Sequence, residues 1–429
     1  MPRFGAALAL AATLLAAPTA LANGRFPGSR GVAAQGERWM VPVTFGMLVS
    51  NDGGDSFQWL CEDALGYAGT YDPDLLIDAA GNRWITAFDG VRVSRDDGCE
   101  WTPVGAPFDG LFPGAMTADS QGRLWVASAQ AGVANGIYRL DDTAGTTFAR
   151  LGLDSEGALF TGVATAPSMS SRVFVSGFVI ATNGQPEPLL FRTDDDGLTF
   201  NPLGVDAFDI GDQPSLEVRA VGKLDPDLVL VTVGRTPGNG GDQLFRSING
   251  GDSFELVLTI EGGIEAVLTR SNGDVVVGAG SQGTWISEDG GDSFTQVVGG
   301  PLLTCAVEQA DGSLLGCASN VAPDLFAVGS STDARAWTRI LTFDAITGPL
   351  ECPSGTPQKD SCEALWPGLA EQLGISSGSE SDAGIGKPPT TDGCGCRSAT
   401  GSGAFGAAGG LLLLLLLRRR ASRAGKRCW

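Results

Sequence analysis

Carboxylates are almost the only side chains in this chain that could move a proton. Its 429 residues carry 49 acidic and 28 basic groups, no histidine, and a formal net charge of −21. Without histidine, neither a His-ligated zinc site nor a Ser-His-Asp triad can form. Four lysines on so acidic a chain make nucleic acid an unsuitable partner, because binding phosphates needs a basic face. The acidic strings do not follow the calcium-loop pattern with its closing bidentate Glu, so no cofactor is expected and calcium lacks a supporting motif. Hydrolysis of a glycoside needs only two carboxylates at a set separation. Acids are plentiful enough for that, but no spacing selects a pair. Trp84, Trp101, Trp125 and Trp285 could stack on sugars, yet each recurs at a repeat position, which favours packing.

The elements that must position these groups are repeated. Ser50-Asn51-Asp52-Gly53-Gly54-Asp55-Ser56-Phe57 returns as Ser247 to Phe254 and as Ser287 to Phe294. Looser copies run from Ser94 to Trp101 and from Thr193 to Phe200, and two degenerate ones end at Phe148 and Trp337. The closing aromatics fall 44, 47, 52, 54, 40 and 43 residues apart. A second signature precedes each copy: a turn such as Asp78 to Gly81 or Asp119 to Gly122, then an apolar strand through Trp84 or Trp125. Turn, strand, short turn, strand and acidic turn together make an antiparallel meander of about four strands per unit.

The pattern S-x-D-x-G-x-[ST]-[FW] resembles the Asp box of BNR and sialidase-type propellers over roughly residues 30–350. The resemblance implies an all-β fold, a seven-bladed β-propeller of four-stranded antiparallel sheets. The two degenerate copies leave six or eight blades open. Asp52, Asp96, Asp195, Asn249 and Asp289 are then structural, accepting backbone N–H bonds inside a tight hairpin away from any ligand site. Residues 37–49, ahead of the first copy, are expected to help close the ring with the last blade. Catalysis of the sialidase kind would need a late Tyr-Glu nucleophile pair. The tyrosines are Tyr67, Tyr71 and Tyr138, with none in the last four units, so that nucleophile is missing. Arg25-Phe26-Pro27 stands where that family carries Arg-Ile-Pro. An insertion, Asn201 to Val221, carries Asp206, Phe208, Asp209 and Asp212 and reads as a solvated acidic loop.

The two ends read as addresses. Residues 1–22 have an early Arg3, an Ala/Leu run and an Ala20-Leu21-Ala22 exit, the anatomy of a secretory signal peptide. The propeller is expected over 23–370 and a polar Ser/Gly-rich linker over 371–392. Residues 393–429 hold Gly-Cys394-Gly-Cys396-Arg, then Leu411 to Leu417, then three arginines. This tail resembles the myxobacterial C-terminal sorting signal, MYXO-CTERM, which implies processing near Cys394 and Cys396 by sorting machinery. The protein would then be held at the cell surface or outer membrane, touching the membrane only through that anchor. The cysteines agree with export. Cys305 and Cys317 flank the Asp311-Gly312 turn and should pair across a hairpin. Cys352 and Cys362 enclose a short loop and should pair with each other, leaving Cys61 and Cys99 as candidate partners.

These features together point to a non-enzymatic recognition scaffold for an extracellular protein or glycan. An extracellular glycoside hydrolase using paired carboxylates on the propeller face is the alternative. An assembly factor for a photosynthetic complex shares such repeats, but surface export speaks against it.

Overall fold

The second strand of each unit shows why these residues make sheets that stack around an axis. Arg83–Ala87, Leu124–Ser128, Val229–Val233, Val275–Gly278 and Leu314–Cys317 are buried at every position. A strand covered on both faces cannot alternate, and so it reads as a near-continuous β-branched and apolar run. Three of the fourth strands do the opposite: Thr102–Pro103, Asn201–Pro202 and Thr295–Gln296 are exposed throughout.

The computed structural model describes residues 25–108, 110–208, 210, 216–235 and 240–375. Seven antiparallel four-stranded sheets form a ring, a seven-bladed β-propeller. The innermost strands are Ala33–Gln35, Leu75–Ile77, Pro113–Ala118, Ala158–Ala166, Leu216–Val221, Ala266–Thr269 and Cys305–Glu308. In every blade the turns between strands one and two, and between three and four, lie at one end. The turns between strands two and three share the other end with the blade-to-blade links. These are called below the turn end and the link end.

Each repeated acidic turn joins strands three and four. The Asp52 carboxylate accepts the Ser56 N–H at 3.0 Å and the Ser50 hydroxyl at 2.7 Å. Asp96, Asp195, Asn249 and Asp289 take the matching N–H four residues on, at 2.9 to 3.0 Å. The chain turns sharply at Gly53, whose φ is +76°; Asp97 and Asp196 adopt the same left-handed conformation in their copies. The other Asp turn is bonded differently. Trp84 and Trp125 are fully buried, and their indole N–H groups donate to Asp78 and Asp119 at 3.0 and 2.9 Å. These tryptophans are wedges between sheets. Arginines cross between neighbouring blades at the turn end: Arg38 to Asp97 (2.9 Å), Arg123 to Asp196 (2.8 Å) and Arg246 to Asp292 (2.8 Å).

Residues 37–49 help close the ring against the last blade. Arg38–Val43 and Gly46–Ser50 are the middle strands of the first blade, and they close the ring by packing rather than by adding a strand to the last one. Val41 and Leu48 of the first blade share one cluster with Leu315, Val328 and Leu341 of the last. Ser29 donates to the Ala327 carbonyl at 2.7 Å, and its own carbonyl accepts from Thr304 at 3.2 Å. Gly348–Pro349 then adds a short parallel strand to the outer edge of the first blade.

The cysteine pairing differs in part from expectation. Cys305–Cys317 forms as expected, on directly opposed positions of neighbouring strands. Cys352 and Cys362 do not pair with each other, nor do Cys61 and Cys99. The bonds are Cys61–Cys362 and Cys99–Cys352. The reason is the path of the C-terminal strap along the first two blades, which carries each of its cysteines past a different blade. The strap ends in the helix Trp366–Leu373, which Gly374 caps in the left-handed conformation. The folded part therefore passes the boundary set at 370. Leu369, Leu373 and Ile375 pack on the first blade, and Trp366 lies 5.8 Å from Trp59. The insertion is also anchored: Phe208 is buried 5.0 Å from Phe245 and from Phe254, while Asp206 is exposed. Asp209 and Asp212, the leader, most of the linker, and the tail with Cys394 and Cys396 lie outside the described residues. No helix among the described residues is long and apolar enough to cross a membrane.

Cys61–Cys362 spans 301 residues, so it restricts the open chain strongly. Replacing Cys362 by Ser should lower stability by about 2–4 kcal/mol. Denaturant unfolding of both forms checks this. Non-reducing peptide mapping should return a 61–362 crosslink; a 352–362 crosslink would overturn the pairing.

Candidate functional site

Several cavities open on the propeller, and two of them have mostly polar linings. The larger, about 460 Å³, is a trough at the turn end between the first two blades, lined by Gln35 to Arg38, Asn51, Ala79 to Gly81 and Asp97. Its charges serve the blades themselves. Arg38 holds Asp97, and the fully buried Arg83 reaches Asn51 at 2.6 Å and Asp97 at 3.5 Å. Burial lowers the Arg83 guanidinium to about 10, and Asp97 opposes that shift. The smaller cavity, about 290 Å³, is the central channel. It is the better candidate, because every innermost strand or its approach contributes and it gathers charges that no repeat unit needs for folding.

The channel charges are Arg30, Asp74, Glu217, Arg219 and Glu265. Asp74 sits just before the innermost strand of blade two, Glu217 and Arg219 on that of blade five, and Glu265 just before that of blade six. All lie toward the link end. Arg219 pairs with Glu217 at 2.7 Å and donates to the Glu265 carbonyl at 2.5 Å. Burial is the largest influence and works against its charge, but the Glu217, Glu265 and Asp74 carboxylates together hold its pKa above the ordinary value. Asp74 accepts the Met116 N–H at 2.9 Å. It is open to channel water yet surrounded by protein on all sides. That enclosure pushes its carboxyl up to about 6, against the pull of the Met116 N–H.

Beside Asp74 lies an aromatic group. The Thr86 hydroxyl accepts from the Tyr71 phenol at 2.7 Å and from the Asp74 N–H at 2.9 Å, tying the two together. The Tyr71 ring lies 4.6 Å from Phe88 and 6.0 Å from Phe112. Asp72 next door receives both of its oxygens' bonds from Arg25 at 2.8 Å.

The acidic turns Asp52, Asp96, Asp195, Asn249 and Asp289 are at the opposite end from this mouth. None of the channel charges was singled out by sequence spacing. Each is one residue on one strand, and the repeats give no local signal for it. Among the described residues, no group of three or more Cys, Asp or Glu is disposed to hold a metal ion.

No family model matches the chain, and no curated protein matches it. Solved structures do. One is the GH74 xyloglucanase from Xanthomonas campestris, at 17% identity over 73% of this chain and 58% of that one, with a TM-score of 0.40. Another is the extracellular domain of the one component system BT4673 from B. thetaiotaomicron, at 12% identity over 71% and 38%, TM-score 0.49. A third is YCF48 from Cyanidioschyzon merolae, at 12% identity over 68% and 92%, TM-score 0.46. What they share with this chain is the propeller. The chain spans 58% of the xyloglucanase, and a fold this widely used does not select a chemistry.

The titrations give a test with opposite signs. Asp74 ionises at 3.8 in the open chain but at about 6 in the fold. Between those values the fold holds a proton that the open chain has lost, so stability falls as pH rises from about 4 to about 6. Asp52 and Asp195 are held down to about 2 by the Ser and Thr hydroxyls and N–H groups of their turns. Their contribution is complete above about pH 4 and is lost as pH falls toward 2. Urea midpoints of the wild type and Asp74→Asn, compared from about pH 3 to about pH 8, should diverge between about 4 and 6 in favour of the variant. Parallel curves would show that Asp74 titrates normally.

Proposed function

We propose that this protein is an exported Asp-box propeller that recognises an extracellular protein or glycan at the link-end mouth of its channel, without turning it over. The observation that carries this reading is the mutual engagement of the channel charges. Glu217 is committed to Arg219, Arg219 to the Glu265 carbonyl, and Asp74 to the Met116 N–H. Groups held this way are pre-organised to bind through their remaining lone pairs and N–H groups.

Export rests on the leader at 1–22 and is supported by three disulfides in the fold. Surface anchoring rests on the 393–429 tail. The mature protein should begin near Asn23 and lack Leu411 to Leu417; intact mass of protein recovered from membranes checks both ends.

One observation favours the hydrolase reading: Asp74, raised to about 6, could act as an acid, with the Glu217 carboxylate lining the same channel. The two readings separate on one pair of measurements. For recognition, Asp74→Asn and Arg219→Ala should weaken ligand retention about tenfold or more, with no release of reducing ends by any form. Release by the wild type that Asp74→Asn abolishes would establish the hydrolase.

A further inference from the structure

The link end carries an exposed aromatic surface that the fold does not use. Phe88 is 49% exposed at the tip of the turn between strands two and three of blade two. Tyr71 and Phe112, in the links on either side of that blade, are half-buried beneath and beside it. The Phe88 and Phe112 rings are 6.2 Å apart and only 34° from parallel. The equivalent turn of blade one also carries an aromatic, Phe45, but the strap covers it: Phe45 is 5% exposed, with Phe343 packed 5.2 Å away. Nothing covers Phe88 among the described residues. The Tyr71 phenol is bonded to Thr86, so the ring beneath is held in place rather than swinging in solvent.

Polar groups border these rings on one side. Thr86 bonds both the Tyr71 phenol and the Asp74 backbone N–H, and Asp72, the next residue after Tyr71 in the chain, has its side chain 43% exposed. Two rings 34° from parallel, with Tyr71 tilted 40° to Phe88 beneath and acidic residues adjoining it in the chain, suit a pyranose ring. The C–H face of the sugar lies on the aromatic rings, and its hydroxyls donate to the carboxylates. The charge of the neighbourhood narrows the class further. Arg25 is bonded to Asp72, Arg30 lies 4.0 Å from it, and Arg219 is paired with Glu217, so each of these three cations has an acidic partner. On a chain of net charge −21 this mouth repels uronic, sialic or sulfated sugars.

We infer that Tyr71, Phe88 and Phe112 form a stacking platform for a neutral pyranose ring, with Asp74 and Asp72 receiving its hydroxyls. The inference rests on the recognition reading and supplies the ligand class for that same mouth.

The test uses the full chain on an array of neutral and acidic glycans, followed by calorimetric titration of the neutral oligosaccharides that bind. Phe88→Ser should weaken a neutral glycan at least tenfold at unchanged Tm. Phe88→Leu, which keeps an apolar side chain but loses the ring, should weaken it similarly and guards against a folding defect. Leu198→Ser, an exposed apolar change at the turn end, should leave binding intact. Neutral-glycan binding that survives both Phe88 variants would overturn the platform while leaving recognition at the mouth standing. Binding confined to acidic glycans, or none to any glycan, would overturn the ligand class. Recognition itself would then be judged separately, by whether Arg219→Ala releases the partner crosslinked to the wild type on intact cells.

Discussion

A ring of sheets must be closed, and here the four main strands of every blade are contiguous in sequence; only Gly348–Pro349 passes from the chain's end to the first sheet, at its outer edge. The seam between the last and first blades therefore has side-chain packing and only isolated hydrogen bonds. The strap supplies what the seam lacks. Its backbone bonds to Phe57 and Trp59 as it passes the first blade, and the Gln358 amide donates to the Trp59 carbonyl and accepts the Cys61 N–H. Two disulfides then fix it to the first and second blades across 301 and 253 residues of chain. The innermost strands stay in register around the channel only if the seam holds, so the channel site depends on these crosslinks.

The two ends of the ring divide the work. At the turn end, carboxylates are consumed by their own hairpins and by arginines from the next blade. Each of these surface pairs is worth little alone. Repeated around the ring, they set the angle between neighbouring sheets. The same engagement leaves the larger trough there with few groups free for a ligand. At the link end the connections are longer and less uniform, and the charges gathered there come from different blades. Structural and recognition duties are thus separated by the direction of the meander alone.

Covering is the second variable. The strap helix lies over the first blade and buries Phe45 and Trp59, while the next blade keeps Phe88 in solvent. An aromatic at the same kind of turn is therefore core in one blade and surface in its neighbour. What differs is whether the strap passes over it.

The sequence by itself determined what depends on near neighbours. Acidic turns are four-residue hydrogen-bond circuits, buried strands are runs of apolar residues, and Cys305 and Cys317 oppose each other across one hairpin. Strand order within a unit, the hairpin hydrogen bonds of Asp52 and its repeats, and that one disulfide are legible at this range; the blade count is legible only to within one, because two copies are degenerate. The tertiary structure alone decided what depends on the ring's rotation. It brings Asp74, Glu217, Arg219 and Glu265 to one channel and Tyr71, Phe88 and Phe112 to its mouth. It carries Cys352 to Cys99 and Cys362 to Cys61, where nearness in sequence suggested other partners. Local circuits leave a periodic trace because each unit must form the same one. Residues that meet only across the ring occur once each, and no spacing along the chain records the meeting.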